Sequence, residues 1–171
     1  MREVTLIDIY NHRIAQKYLT RSGLSHALAV AYHAFHLAKK HGVDLDTAAK
    51  AGLLHDMGHY TWYQNGKWDY NLYKQNDIHA IKGAERAHKL LVRLGESPEK
   101  AKEISLAVLL HTDSFLPDGT IVNLTKLQSI IKEADEKDEE AGGLHHYRTI
   151  SDERARRSLQ RLDEWIDKEG T

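Results

Sequence analysis

Apolar residues recur at intervals of three and four along nearly the whole chain, and only two prolines interrupt them. Leu6, Ile9, Ile14 and Leu19 predict a first helix over about 5–20. A second runs over about 25–40 and stops before His41-Gly42, a usual C-terminal signal. The third, about 45–57, ends in the stretch AGLLHDMGHY, residues 51–60. A fourth covers about 78–94 and closes at Gly95. Ser97 then caps a helix with Pro98 at its first position, running to about 111. Two more follow, at about 124–140 and 151–167, the last capped by Ser151 and carrying Leu159, Leu162, Trp165 and Ile166.

Residues 58–77 show no clear period, and connections of that length are usually functional or mobile. GTIV, at 119–122, is a weak strand candidate. No repeat, linker or low-complexity segment interrupts the pattern. The expected architecture is all-α, one compact domain over residues 1–171 with about six to seven helices.

Composition narrows the function. With 24 Lys+Arg against 25 Asp+Glu the formal charge is −1, which implies neither a duplex-nucleic-acid surface nor an acidic tail. No cysteine is present, so disulfides, thiolate metal sites and cysteine nucleophiles are excluded. No apolar run approaches a membrane span, and the charged start does not resemble a secretory signal, so a cytoplasmic protein is expected. The unusual count is 12 histidines.

Several of those histidines break apolar helix faces. Side chains three or four apart share a face, so His55 lies above Ala51 and Gly52, and Asp56 above Gly52 and Leu53. Glycine within a helix usually has a packing reason, here room for a neighbouring helix. His26 shares a stripe with Val30, His33 and Leu37; His111 ends the row Ile104, Ala107, Val108; Asp135 continues Leu124, Leu127, Ile131; His79 stands over Gly83. A buried carboxylate without a partner is costly, and a divalent cation gathering imidazoles and carboxylates removes that cost. Iron, manganese, cobalt, nickel and zinc suit such ligands. Taken singly, each residue has a blander reading: His33 and His36 as structural groups, His12, His41 and His88 as surface, and Asp138, Glu139 and Glu140 as a solvated charge run.

The order of the set resembles the HD-domain superfamily of metal-dependent phosphohydrolases. That pattern is a histidine, a His-Asp pair about thirty residues later, two further histidines in two-metal members, and a distant aspartate. Here His26 precedes His55-Asp56 by 29 residues, HAIKGAERAHKLL carries His79, ISLAVLLHTDS carries His111, and SIIKEADEKDE carries Asp135. The resemblance covers about 20–140, with the helices at 5–20 and 151–167 packed on that core. It implies that His26, His55, Asp56 and Asp135 hold one divalent ion, and that Asp56, as the central catalytic carboxylate, bridges to a second held by His79 and His111. It also implies a hydroxide between the ions that attacks phosphorus in a nucleotide or similar small phosphate.

Around this set, His59 is expected as a catalytic or substrate-phosphate contact, with a helix-capping role an equal alternative. Trp62, Tyr63, Trp68, Tyr70 and Tyr73 accompany Lys67 and Lys74, suited to stacking a base and meeting phosphates. A self-packed loop or a homo-oligomer contact fits the same residues. Arg148, in GGLHHYRT with His145, His146 and Tyr147, is a candidate phosphate fork. ADEKDEEAGG after Asp135 departs from the acidic-proline-arginine stretch of HD enzymes that split symmetrical dinucleoside tetraphosphates, so that substrate is not implied. Nor does the chain carry the GYP segment of the cyclic-dinucleotide branch. The alternatives are a di-iron HD-type oxygenase and a non-catalytic module that binds metal or nucleotide.

Overall fold

The computed structural model describes residues 2–59, 63–139 and 148–170. Its elements are α1 (Leu6–Asn11), α2 (Arg13–Ser22), α3 (Leu24–His41), α4 (Leu45–Leu54), β1 (Tyr63–Gln64), β2 (Lys67–Trp68), α5 (Tyr70–Gln75), α6 (His79–Leu94), α7 (Pro98–Leu109), α8 (Lys126–Glu139) and α9 (Asp152–Glu169). The fold is all-α, as the periodicity requires.

The helix count is higher than expected, nine among the described residues. The first expected helix is divided because His12 leaves the helical region, at φ −74° and ψ 131°. Its Nδ1 accepts a hydrogen bond from the backbone N–H of Ile14, which caps α2. The second addition, α5, lies inside the aperiodic stretch, where Asp69 caps it through the N–H of Leu72.

The strand expectation is corrected as well. Residues 119–122 form no strand, and the β-structure is a hairpin pairing Tyr63 with Trp68 and Gln64 with Lys67. Asn65 and Gly66 both have positive φ, 53° and 75°, the turn geometry that Asn-Gly favours between short strands.

Packing centres on α3, which lies against α4, α8, α9 and α2, while α4 also meets α7 and α8. Gly52 sets the closest approach. A methyl group there would come within 2.9 Å of the Ala31 Cα and the Val30 carbonyl oxygen, so α3 and α4 pack backbone to backbone. Ala31 and Ala34 of α3 and Ala48 and Ala51 of α4 are wholly buried.

A second set of contacts ties the chain ends to this core. The Asp163 carboxylate on α9 accepts the N–H groups of Leu6 and Ile7 at the start of α1. The Arg2 guanidinium reaches Asp46, Asp163 and Asp167. Lys50, wholly buried, donates to Asp46 at 2.7 Å and Glu96 at 2.5 Å. No described helix is long and apolar enough to cross a membrane.

Candidate metal centre

α4 stops at Leu54, earlier than the expected 57, and the chain continues in tight turns in which Met57 N–H bonds Leu54 O and His59 N–H bonds Asp56 O. Ending the helix there leaves carbonyls without partners. His55 satisfies one through Nδ1–H to Gly52 O at 2.7 Å. The same device recurs beyond α7, where His111 Nδ1–H donates to Val108 O at 2.6 Å. Because a carbonyl can only accept, both rings carry their proton on Nδ1 and turn the Nε2 lone pair to the interior.

The turn after α4 is held against α6 by two glycines. A Cβ on Gly58 would lie 1.7 Å from His79 O and 2.4 Å from Gly83 N, and one on Gly83 would lie 3.1 Å from Gly58 N. This contact brings His79, the first residue of α6, beside Asp56.

The result is two groups of potential ligands, of four and three residues, that share the Asp56 carboxylate. His26, His55, Asp56 and Asp135 offer ligand atoms within 4.8 Å of one another, as do Asp56, His79 and His111. In the first group His26 Nε2 is 3.1 Å from His55 Nε2, 2.9 Å from Asp135 Oδ1 and 3.5 Å from Asp56 Oδ2. In the second, His79 Nε2 is 3.2 Å from His111 Nε2, and Asp56 Oδ1 lies 3.8 and 3.5 Å from the two. Asp56 therefore presents Oδ2 to one group and Oδ1 to the other.

These spacings fit metal coordination. Two nitrogens each bound about 2.1 Å from a shared ion, at right-angled to tetrahedral geometry, stand roughly 3.0–3.4 Å apart. Imidazole lone pairs facing each other at 3.1 and 3.2 Å repel unless a positive charge lies between them. The outer contacts agree. Asp138 Oδ2 lies 2.5 Å from His26 Nδ1, and the Asp77 carboxylate 2.7 Å from His79 Nδ1, so carboxylates orient the two remaining rings. Ser114 in turn donates to Asp77 at 3.1 Å.

Asp138 corrects the reading of 138–140 as a solvated run, since its side chain is buried against His26. Its signal was its position three residues after Asp135, on the same face of α8. Asp77 was not anticipated; it stands two residues before His79, and its carboxylate also accepts the backbone N–H of His79.

Charge follows from this arrangement. Burial alone would raise the Asp56 carboxyl, but His55, His111 and His59 hold it well below the usual range. Burial would lower the His26 and His55 rings, yet Asp135 and Asp56 hold both above the ordinary histidine value, with Asp138 adding to the effect at His26. His79 goes the other way, pushed down by burial and by neighbouring His59.

His59 stands at the edge of the second group. Its ring stacks on His79 at 4.6 Å, Nε2 is 3.3 Å from Asp56 Oδ1, and Nδ1 is 3.0 Å from the Tyr73 hydroxyl of α5. Lys67, Lys74 and Arg148 are exposed and are not drawn into the cluster. Arg148 is fixed through its backbone oxygen, which accepts from the Ser25 hydroxyl. Trp62, Glu140, His145, His146 and Tyr147 lie outside the described residues.

A profile described as HD domain matches residues 23–141. A Bacillus subtilis (strain 168) protein named "Putative phosphohydrolase YueE" is 63% identical over 168 residues, covering 98% of this chain and 95% of its own. No solved structure matches the chain.

Proposed function

The chain belongs to the HD-domain family, and from that premise we propose that it is a metal-dependent phosphohydrolase acting on a nucleotide or similar small phosphate ester. The observation that carries this reading is Asp56, whose two carboxylate oxygens face two separate groups of inward-pointing imidazoles. His26, His55, Asp56 and Asp135 would hold one divalent cation, and Asp56, His79 and His111 a second. Bound cations of this kind supply an acidified water as nucleophile and positive charge against the phosphoryl oxygens.

The remaining steps belong to the chain. A carboxylate shorter than glutamate lets Asp56 serve both groups without displacing either. Nδ1 partners on all four rings hold the Nε2 atoms in place before substrate arrives, which lowers the cost of reorganisation during reaction. His59 lies beside Asp56, and its pKa reflects that position: burial would lower it, but Asp56 holds it above the ordinary value. It is therefore suited to donate a proton or hydrogen bond to a phosphate oxygen. Lys67 and Lys74 are assigned to the rim, meeting the phosphates that do not react, while Arg148 lines a separate cavity with Tyr32 and Arg154.

The test is turnover of nucleoside mono-, di-, tri- and cyclic phosphates by the metal-loaded protein, run with and without oxygen. Phosphate release unchanged by anaerobic conditions and abolished in Asp56→Ala is the expected result. A fully loaded protein that hydrolyses none of the panel would overturn the reading, and oxygen uptake dependent on iron and substrate would replace it with oxygenase chemistry.

A further inference from the structure

Away from the metal centre, the outer faces of α3 and α9 enclose a groove whose charge is one-sided. One cavity of about 260 Å3 is lined by Arg154, Arg157, Ser158, Arg161 and Trp165 of α9 and by Tyr32 of α3. It continues past Tyr32 and Arg154 into a second cavity of about 480 Å3, which reaches Ser25, His33 and Arg148. Among the described residues no Asp or Glu lines either cavity, in a chain whose charges otherwise balance to −1.

Arg154 and Arg161 make no ion pair among the described residues, and the pair made by Arg157 with Glu153 is solvent-exposed. Arg156 pairs with Asp152. Positions 154, 157 and 161 share one helix face, spread over about 10 Å at the helical rise. Opposite them, Tyr32 is 45% exposed, and its ring is braced by His36 at 4.4 Å and Trp165 at 6.3 Å. Guanidinium forks in a row suit successive phosphates, and an aromatic ledge suits a planar ring. The second cavity, about 480 Å3, has the volume of a small-ligand cleft. None of the six clustered ligand residues lines it.

We propose that this groove is a second, non-hydrolytic site for a nucleoside polyphosphate, with its phosphates along Arg154, Arg157 and Arg161 and its base against Tyr32. The site needs no cation from the metal centre, so it stands or falls apart from the hydrolase reading.

Calorimetric titration of the metal-stripped full chain with ATP and with inorganic tripolyphosphate tests it. The stripped wild type binds ATP, and Arg154→Gln/Arg161→Gln weakens that binding roughly tenfold or more, the scale of lost charge-assisted hydrogen bonds. Tyr32→Ala removes the advantage of ATP over tripolyphosphate. Both substitutions lie on the surface, and unchanged circular dichroism and melting confirm that the variants fold. The proposal is overturned by no ATP binding to the stripped chain at millimolar concentration, by binding indifferent to the arginine pair, or by tripolyphosphate binding as tightly as ATP.

Discussion

Asp138 Oδ2 lies 2.5 Å from Nδ1 of His26, an imidazole with no solvent exposure whose Nε2 faces Asp135 and Asp56. Asp77 stands in the same relation to His79. In each proposed ligand group one ring is backed by a carboxylate and one by a carbonyl, and the backing carboxylate makes its imidazole the more basic ligand. Asp138→Asn is expected to lower affinity for the first ion by about 10–100-fold and leave the second unchanged, with Asp77→Asn doing the reverse. Metal titration with elemental analysis distinguishes the two. Equal loss of both ions in either variant would remove the assignment.

His79→Ala is expected to leave one ion per chain, while His55→Ala and Asp56→Ala retain none. Elemental stoichiometry on purified protein decides this. Two ions in His79→Ala would show that His79 is not a ligand.

The glycine contact between the turn after α4 and α6 predicts a graded cost. A methyl group at position 58 meets backbone atoms at 1.7 and 2.4 Å, whereas at 83 its nearest neighbours are at 3.1 and 3.3 Å. Gly58→Ala is expected to destabilise by about 3 kcal/mol, the upper part of the overpacking range, and Gly83→Ala by about 1 kcal/mol. Denaturant melts give both values; a Gly58→Ala protein as stable as the wild type would mean the close approach does not exist in solution.

Acidity separates the metal-free from the metal-loaded protein. His26 and His55 have pKa values raised in the folded, metal-free chain. Their contribution to stability is fully present below the unfolded histidine value, about 6.5, and is lost as pH rises through the raised folded values. A bound cation needs both rings neutral, so proton competition against it weakens over the same window. The difference in Tm between loaded and stripped protein should therefore widen as pH rises above about 6.5. Scanning calorimetry at fixed free metal reads it, and a narrowing difference contradicts the ligand set.

Lys50 offers a stability test away from the centre. It is wholly buried between Asp46 and Glu96. Without Lys50, Asp46 keeps Arg2 and Lys100 and Glu96 is only partly buried, so the cost falls below the roughly 3–5 kcal/mol of an uncompensated buried charge. Lys50→Met should unfold more readily and still bind the same number of ions per folded chain. A loss of metal with unchanged stability would reverse that division.

Helical class was legible in the sequence because burial of one face imposes its period on residues near in the chain, and the set His26, His55, Asp56, His79, His111 and Asp135 was legible through its resemblance in order to the HD-domain pattern. So was the meaning of Gly52, since a glycine within an apolar helix implies a close neighbour. The break at His12 was not, because a single extended residue leaves the apolar spacing on either side intact. Nor was α5, which has no buried face to mark it. Asn65-Gly66 was a readable turn signal that the lack of a longer period concealed.

What tertiary structure alone decided is which polar groups meet. Asp138 looks like its acidic neighbours along the chain, and only the packing of α8 on α3 turns it into the partner of His26. Likewise, adjacent His55 and Asp56 converge on one interior because α4 ends beneath them, and the two oxygens of Asp56 diverge because α6 and α7 arrive on one side while α3 and α8 hold the other. Local patterning records how much surface each residue buries; which distant atom it faces depends on helices folded together, and that is non-local.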